Sequence, residues 1–271
     1  MTAAPEVRAG GAPEPAPAEE TARHADPSAA GGGGWRALLL QPALVVLGVA
    51  AFLVWRLTAD LSDTEARQLG WGVLGDSIRE HLALTVVAAV IVLLIAVPLG
   101  IALTRRPLRR LSPLVVGIAN TGQAAPAIGL FVLLATWLGF GFGTTVVALV
   151  VYAALPVLRN TMVGIQGVDE RLVEAGRGMG MSALAVLLRV ELPLAVPVLL
   201  AGVRTALVLL VGTATLATFI DGGGLGVLIN TGITLSLDSL LISGAVLVAL
   251  LALAVDWLGR VVEHVARPKG L

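Results

Sequence analysis

The stretch EAGRGMGMSALAVLLRVELP, Glu174 to Pro193, sets two carboxylates, three alternating glycines, a serine and a closing proline inside an otherwise apolar chain. Residues of these types suit non-covalent work: a short helix, a sharp turn and a face that another protein backbone can approach closely. Covalent chemistry has no comparable set. The chain contains no cysteine, which excludes disulfides and thiolate metal sites. It also lacks the GxxxxGK[ST] loop that cradles nucleotide phosphates. GGGGW at Gly31 to Trp35 and DGGGLG at Asp221 to Gly226 are glycine-rich, but neither has the lysine or its flanking helix. The first reads as the end of a flexible tail and the second as a tight extracytoplasmic turn. No carboxylate pair lies in the apolar runs, Asp256 being close to the end of its own. The expectation is a chain with no catalytic residue and no metal or cofactor ligand, and therefore not an enzyme.

Three polar residues inside apolar runs are candidates for a solute pathway: Asn120, Gln123 and Arg204. Asn120 and Gln123 interrupt a run together with Gly122 and Pro126, and interhelical hydrogen bonding competes with a pathway role for both. Arg204 lies about 16 Å along a helix from Pro193, at 1.5 Å per residue. A guanidinium at that depth must snorkel, pair or face a wet interior, and a contact between helices or subunits is favoured over direct solute contact.

The elements that carry these residues follow from composition. Of 271 residues 57 % are hydrophobic and only 13 % are charged. A soluble domain has roughly a quarter of its residues charged, so this chain has too little polar surface for a globule in water. Several runs reach the roughly 20 apolar residues that cross a bilayer. The predicted fold class is an all-α polytopic membrane protein with about six transmembrane helices, near 37–57, 82–103, 111–138, 144–158, 192–220 and 240–258. The third is expected to break at NTGQAAP and the fifth has room for a break. Residues 1–36, rich in Pro, Ala, Gly and Glu, read as a disordered tail. The apolar run after them is too long and starts too late for a signal peptide.

Charge orients the spans. Arg8, Arg23 and Arg36 precede the first, Arg105, Arg106, Arg109 and Arg110 follow the second, and Arg159, Arg171, Arg177 and Arg189 lie between the fourth and fifth. Arg260, Arg267 and Lys269 follow the sixth, whereas the opposite side has only Arg56, Arg67 and Arg79. Positive charge is retained in the cytoplasm, which puts both termini and the Glu174 to Pro193 stretch there. A balanced net charge and the lack of a basic aromatic patch give no indication of nucleic acid.

The segment between Arg159 and Leu192 is patterned as two short helices. Asp169 caps the first, with Glu170 in its first turn where negative charge suits the dipole. Leu172, Ala175, Gly176 and Met179 then share one stripe, and Gly178 and Gly180 end the helix. Ser182 caps the second helix, which hands over to the fifth span near Pro193. An amphipathic loop helix lying on headgroups is the plain alternative. Such helices carry aromatic anchors, whereas this one has neither Trp nor Phe, so docking into a partner's groove fits better.

This stretch resembles the EAA signature of ABC importer permeases: Glu174, Ala175 and Gly180 match, as do Val190, Leu192 and Pro193 at the expected offsets. Gly176 stands where the family more often has alanine, a change that loosens the helix by somewhat under ~1 kcal/mol. NTGQAAPAIGLFVLL, YAALPVLRNTMVGIQGVD and GTATLATFIDGGGLGVLI extend the resemblance from about Leu74 to about Ile242, toward permeases for glycine betaine, carnitine, choline and related osmoprotectants. The resemblance implies a type I importer permease in a bacterial cell membrane, with a cytoplasmic coupling helix. It implies a separate cytoplasmic ABC ATPase that carries ATP-Mg, a second permease copy or paralogue, and an extracytoplasmic solute-binding protein.

Glu174, Ala175, Gly176, Gly180 and Pro193 are then the expected ATPase-coupling residues. The implied organisation is a cytoplasmic tail over 1–36, a first helix and extracytoplasmic loop over 37–73, and a permease core over 74–260. That core holds the coupling segment 169–193, and 261–271 form a cytoplasmic tail. Phe131, Phe140, Phe142, Tyr152, Phe219 and Trp137 form no readable cage for a cation, which places selectivity chiefly in the binding protein. The rival classes are an ion-coupled secondary transporter, which needs an internal coupling site, and a membrane assembly subunit that transports nothing.

Overall fold

The computed structural model describes residues 35–266, with side chains from residue 39 onward. The tail expected over 1–36 and the last residues of the C-terminal tail lie outside the described residues, apart from the first turn of α1. Every regular element in the described region is helical. Apolar length dictates the long ones: α1 (Trp35–Thr58), α3 (Trp71–Thr104), α6 (Phe142–Gln166), α9 (Leu192–Thr213) and α11 (Asp238–Ala266). Between them stand α2 (Asp63–Gln68), α4 (Ser112–Ala124), α5 (Ala127–Leu138), α7 (Glu170–Gly178), α8 (Ala183–Val186) and α10 (Gly226–Leu235). Five helical segments are long and apolar enough to span a bilayer, or six when the bent pair α4–α5 is counted as one.

The boundaries differ from the expected ones for clear reasons. α3 starts at Trp71 rather than near residue 82, because its first turns carry Asp76, Arg79, Glu80 and His81, which suppress hydropathy without breaking a helix. α11 continues to Ala266, past the point where a tail was expected, for the same reason. α6 runs to Gln166, past the expected end near residue 158, and within it the Asn160 side-chain amide donates to the Pro156 carbonyl one turn back, at 2.8 Å. The third span does break at NTGQAAP as expected, into two helices turned by 101° at Ala125–Pro126. The break has its own partners: Tyr152 on α6 donates its hydroxyl to the Ala125 carbonyl, and Gln123 donates to the Tyr152 carbonyl at 3.4 Å. A polar backbone at that depth is tolerated because α6 satisfies it.

The fifth span is longer and less uniform than expected. α8 passes through a π-helical turn at Leu187–Glu191 into α9, which tightens to 3-10 geometry at Ala214–Ile220, giving an unbroken arm from Ala183 to Ile220. The DGGGLG turn follows, with Asp221, Gly223 and Gly224 at positive φ. It leads straight into α10, a short helix with no counterpart among the expected spans.

The main core lies where α3, α6 and α9 meet around Leu84, Val92, Leu103, Leu149, Leu158 and Leu210. Small residues let these helices approach closely. A Cβ on Gly100 would stand 2.9 Å from the Thr161 side chain, and one on Gly202 would stand 2.4 Å from Asn160. A second cluster around Phe52, Leu69, Leu74, Leu228 and Leu240 ties α1 and α2 to α10 and α11. Many large apolar side chains nonetheless remain exposed, including Leu94, Ile118 and Trp137, as expected of a chain solvated by lipid.

Candidate functional site

The C-terminal ends of α3, α6 and α11 share one end of the bundle with α7, α8 and the start of α9. α7 begins where Asp169 accepts a hydrogen bond from the Arg171 amide at 2.9 Å. Glu170 in the first turn and Arg177 in the last match the signs of the helix dipole. The helix closes with two bonds of a Schellman motif: Gly180 N–H to the Arg177 carbonyl at 2.9 Å and Met181 N–H to the Gly176 carbonyl at 3.1 Å. Gly180 has φ +82°, which glycine adopts without strain. Ser182 then caps α8 by accepting from the Ala185 amide at 3.3 Å.

This geometry divides the five coupling candidates. Glu174 and Ala175 are exposed on α7, as are Leu172 and Met179 of the expected stripe. The Glu174 side chain forms no hydrogen bond or ion pair among the described residues. Gly176, at the edge of the same stripe, is the buried residue of α7. A Cβ there would lie 3.4 Å from Val186 and 3.7 Å from Val190. Gly176 therefore seats α7 on the chain's own arm, while Leu172, Ala175 and Met179 remain exposed. Gly180 shapes the turn. Pro193 stands apart, exposed in the first turn of α9.

Beneath α7 lies an ion pair that sequence reasoning missed. Glu191, the last residue of the π-helical turn, is only 4 % exposed. Arg105, the C-cap of α3, grips it with both terminal nitrogens: Nη1 donates to Oε1 at 3.1 Å and Nη2 to Oε2. The two are 86 positions apart. The available signal was a lone carboxylate in the apolar run LLRVELP, which had to find a cation. Next to the pair, Thr104, Arg109, Gln166, Val168, Glu170 and Val173 line a polar pocket of about 350 Å³.

The three pathway candidates do not converge. Asn120 is exposed on α4 and accepts from Arg159 of α6 at 3.4 Å. Gln123, also on α4, is half-buried against Tyr152 of α6. Arg204 points instead from α9 to α11, where it meets Glu263 at 3.0 Å and Asp256 at 3.5 Å. Asp256 also accepts from Arg260 and from Gln41 of α1, each at 3.0 Å. Pairing at a position close to the end of the bundle is how this chain tolerates a guanidinium inside a span.

The opposite end of α3 has its own clasp. His81, fully buried, accepts the Leu225 N–H on Nδ1 at 3.3 Å, which leaves the proton on Nε2 to donate to the Val211 carbonyl at 3.0 Å. Glu80 accepts from Gly224 N–H at 2.9 Å. No group of three or more His, Cys, Asp or Glu side chains placed to hold a metal occurs among the described residues.

Comparison with known proteins adds the family. Residues 96–267 match the family described as binding-protein-dependent transport system inner membrane component. The chain is 43 % identical over 192 residues to the glycine betaine/carnitine/choline transport system permease protein OpuCB of Bacillus subtilis (strain 168), covering 71 % of this chain and 88 % of that one. It is 38 % identical over 205 residues to the osmoprotectant import permease protein OsmW of Salmonella typhimurium (strain LT2), covering 74 % and 94 %. Its fold is similar to a chain of the inward-facing MetNI methionine ABC transporter, with a TM-score of 0.65 and 24 % identity, covering 77 % of this chain and all of that one.

Proposed function

The chain belongs to the binding-protein-dependent transport system inner membrane component family, and from that premise we propose that it moves a quaternary-ammonium osmoprotectant such as glycine betaine, carnitine or choline inward. It is an ABC-importer permease subunit with the all-α polytopic fold of that class. The cargo class is supported by the printed names of its relatives, which include glycine betaine, carnitine and choline permeases.

The observation that carries the coupling role is the divided surface of α7: Gly176 packs against Val186 and Val190, while Glu174 and Ala175 are exposed and the Glu174 carboxylate has no hydrogen bond or ion pair among the described residues. A helix fixed to its own arm on one side and free on the other suits a docking element. We assign Glu174 and Ala175 to the contact with a cytoplasmic ATPase, Gly176 and Gly180 to the seating and closure of α7, and Pro193 to the entry into α9. ATP-Mg binds to that ATPase, both termini of this chain lie in the cytoplasm, and a second permease copy or paralogue completes the pore. A separate binding protein delivers the solute from outside. Asn120 and Gln123 remain our pathway candidates at the broken span. The pairing of Arg204 with Glu263 and Asp256 favours a bundle contact for it.

Reconstitution with the ATPase and binding protein in proteoliposomes tests this reading. ATP-dependent uptake of at least one of glycine betaine, carnitine and choline is expected, and none for all three rejects the cargo class. Glu174→Arg should leave the permease folded while lowering uptake and solute-stimulated ATP hydrolysis together. Normal uptake by Glu174→Arg at equal assembly rejects the docking role.

A further inference from the structure

We propose that Arg105 and Glu191 are positioning residues that carry displacement of the α7–α8 segment into α3, so that this pair sets how tightly ATP hydrolysis is coupled to solute movement. The inference rests on the reading of α7 as the element that docks on an ATPase.

The argument begins with what is covalently continuous. α8 passes through the π turn into α9 without interruption, so any force on the segment reaches the arm Ala183–Ile220 directly. α3 has no such link, because α4, α5 and α6 intervene in the chain. Among the described residues, the hydrogen bonds and ion pairs between the last turn of α3 and the whole stretch 170–191 reduce to Arg105 with Glu191.

The pair is built to hold. Glu191 is almost wholly buried, and an unpaired carboxylate there is costly, so separating the partners is resisted more strongly than at an exposed bridge. The guanidinium engages both carboxylate oxygens, which fixes direction as well as distance. Arg105 also caps the C-terminal end of the α3 dipole, where positive charge is favoured. The π turn has a specific effect here. Its extra residue shifts the register downstream, so the local helix is wound differently at the position that presents Glu191 to α3.

The far end of α3 completes the device. His81 bonds the Val211 carbonyl of the same arm and the Leu225 amide just beyond it. Two ties about 36 Å apart along α3, at 1.5 Å per residue, make helix and arm a single frame. With the inner tie cut, His81 is the polar tie left between α3 and the arm among the described residues, and the inner end of α3, held by apolar packing alone, lags behind the arm. The ATPase then completes cycles that do not move the full frame.

The test uses the complete assembly of permease, ATPase and binding protein in proteoliposomes, with glycine betaine, carnitine and choline as probes. It reads ATP hydrolysed per solute taken up, alongside thermal stability. Glu191→Gln is expected to raise that ratio about five-fold or more, a typical coupling effect. Arg105→Lys, which keeps the charge but loses the fork, should fall between. The exchange Arg105→Glu with Glu191→Arg should return the ratio toward the unsubstituted value.

A contact that only stabilised the fold would lower the amount of assembled protein and leave the ratio unchanged. That outcome for Glu191→Gln overturns the tie while the importer reading stands. Should Glu191→Gln fail to assemble, an unchanged ratio in Arg105→Lys overturns it equally. No ATP-driven uptake by the unsubstituted assembly overturns the importer reading and the tie together.

Discussion

The hydroxyl of Tyr152 on α6 donates to the carbonyl of Ala125, the residue at which α4 ends and the chain turns by 101° into α5. A carbonyl released by a break in apolar surroundings needs a donor, because no water replaces one there. Tyr152→Phe removes the donor and leaves the ring. The expected loss is about 1–3 kcal/mol for the stranded acceptor. Thermal unfolding of the detergent-solubilised protein checks it, and an unchanged melting temperature means that the bend holds without this bond.

His81 joins three elements through one neutral ring, with each nitrogen committed to a backbone partner. His81→Leu keeps comparable bulk but strands the Leu225 amide. The expected cost is about 2 kcal/mol, within the usual range for an unsatisfied buried group. Proteolysis at the Asp221 to Gly226 turn should accelerate in this variant, since the turn loses one of its anchors to α3. Equal cleavage rates in the two proteins argue against the clasp.

Two glycine-to-alanine changes should have opposite effects. At Gly176 a Cβ meets Val186 at 3.4 Å, ordinary contact distance, and helical alanine is favoured by up to about 1 kcal/mol. At Gly226 a Cβ would stand 2.0 Å from the Thr215 carbonyl oxygen, a backbone atom that cannot swing aside. Gly176→Ala is expected to melt at or above the parent temperature, and Gly226→Ala to give little assembled protein. Similar yields and melting temperatures for both would contradict the packing described for α10.

Glu65 closes the capping box of α2: Ser62 donates to its carboxylate from both hydroxyl and amide, and Ser239 donates to the other oxygen. The Ser62 bonds favour the ionised form and hold the carboxyl below its ordinary value of 4.5. A carboxylate lowered in this way adds stability that is complete above that ordinary value and is lost as pH falls through the lower folded one. Amide exchange in α2 should therefore stay slow through neutral pH and quicken, relative to intrinsic rates, only below about pH 4.5. Onset of that quickening at pH 6 would refute the assignment.

The long spans were legible because length and hydropathy alone determine them, and α7 was legible because Asp169, Gly178, Gly180 and Ser182 are strong local punctuation. The ends of the spans were not. Charged turns such as Asp76 to His81 continue a helix while ending its apolar signal. α10 escaped notice because ten residues are too few to stand out after a run of glycines. The burial of Gly176 was equally hidden, since a stripe of small residues does not reveal which of them its own chain will cover. Arg204 announced a need for partners, and Asp256 and Glu263, one heptad apart on α11, were there to meet it. Arg105 and Glu191 gave no such spacing, because only the folded bundle makes them neighbours.

The chain has a single tyrosine, and it sits at the hinge between α4 and α5. Biosynthetic incorporation of 3-fluorotyrosine would therefore give one fluorine resonance, needing no assignment, next to the broken span. Splitting or displacement of that one line on adding nucleotide to the full assembly would report directly whether the elbow flexes during turnover, in a protein too large and too lipid-bound for most solution spectra.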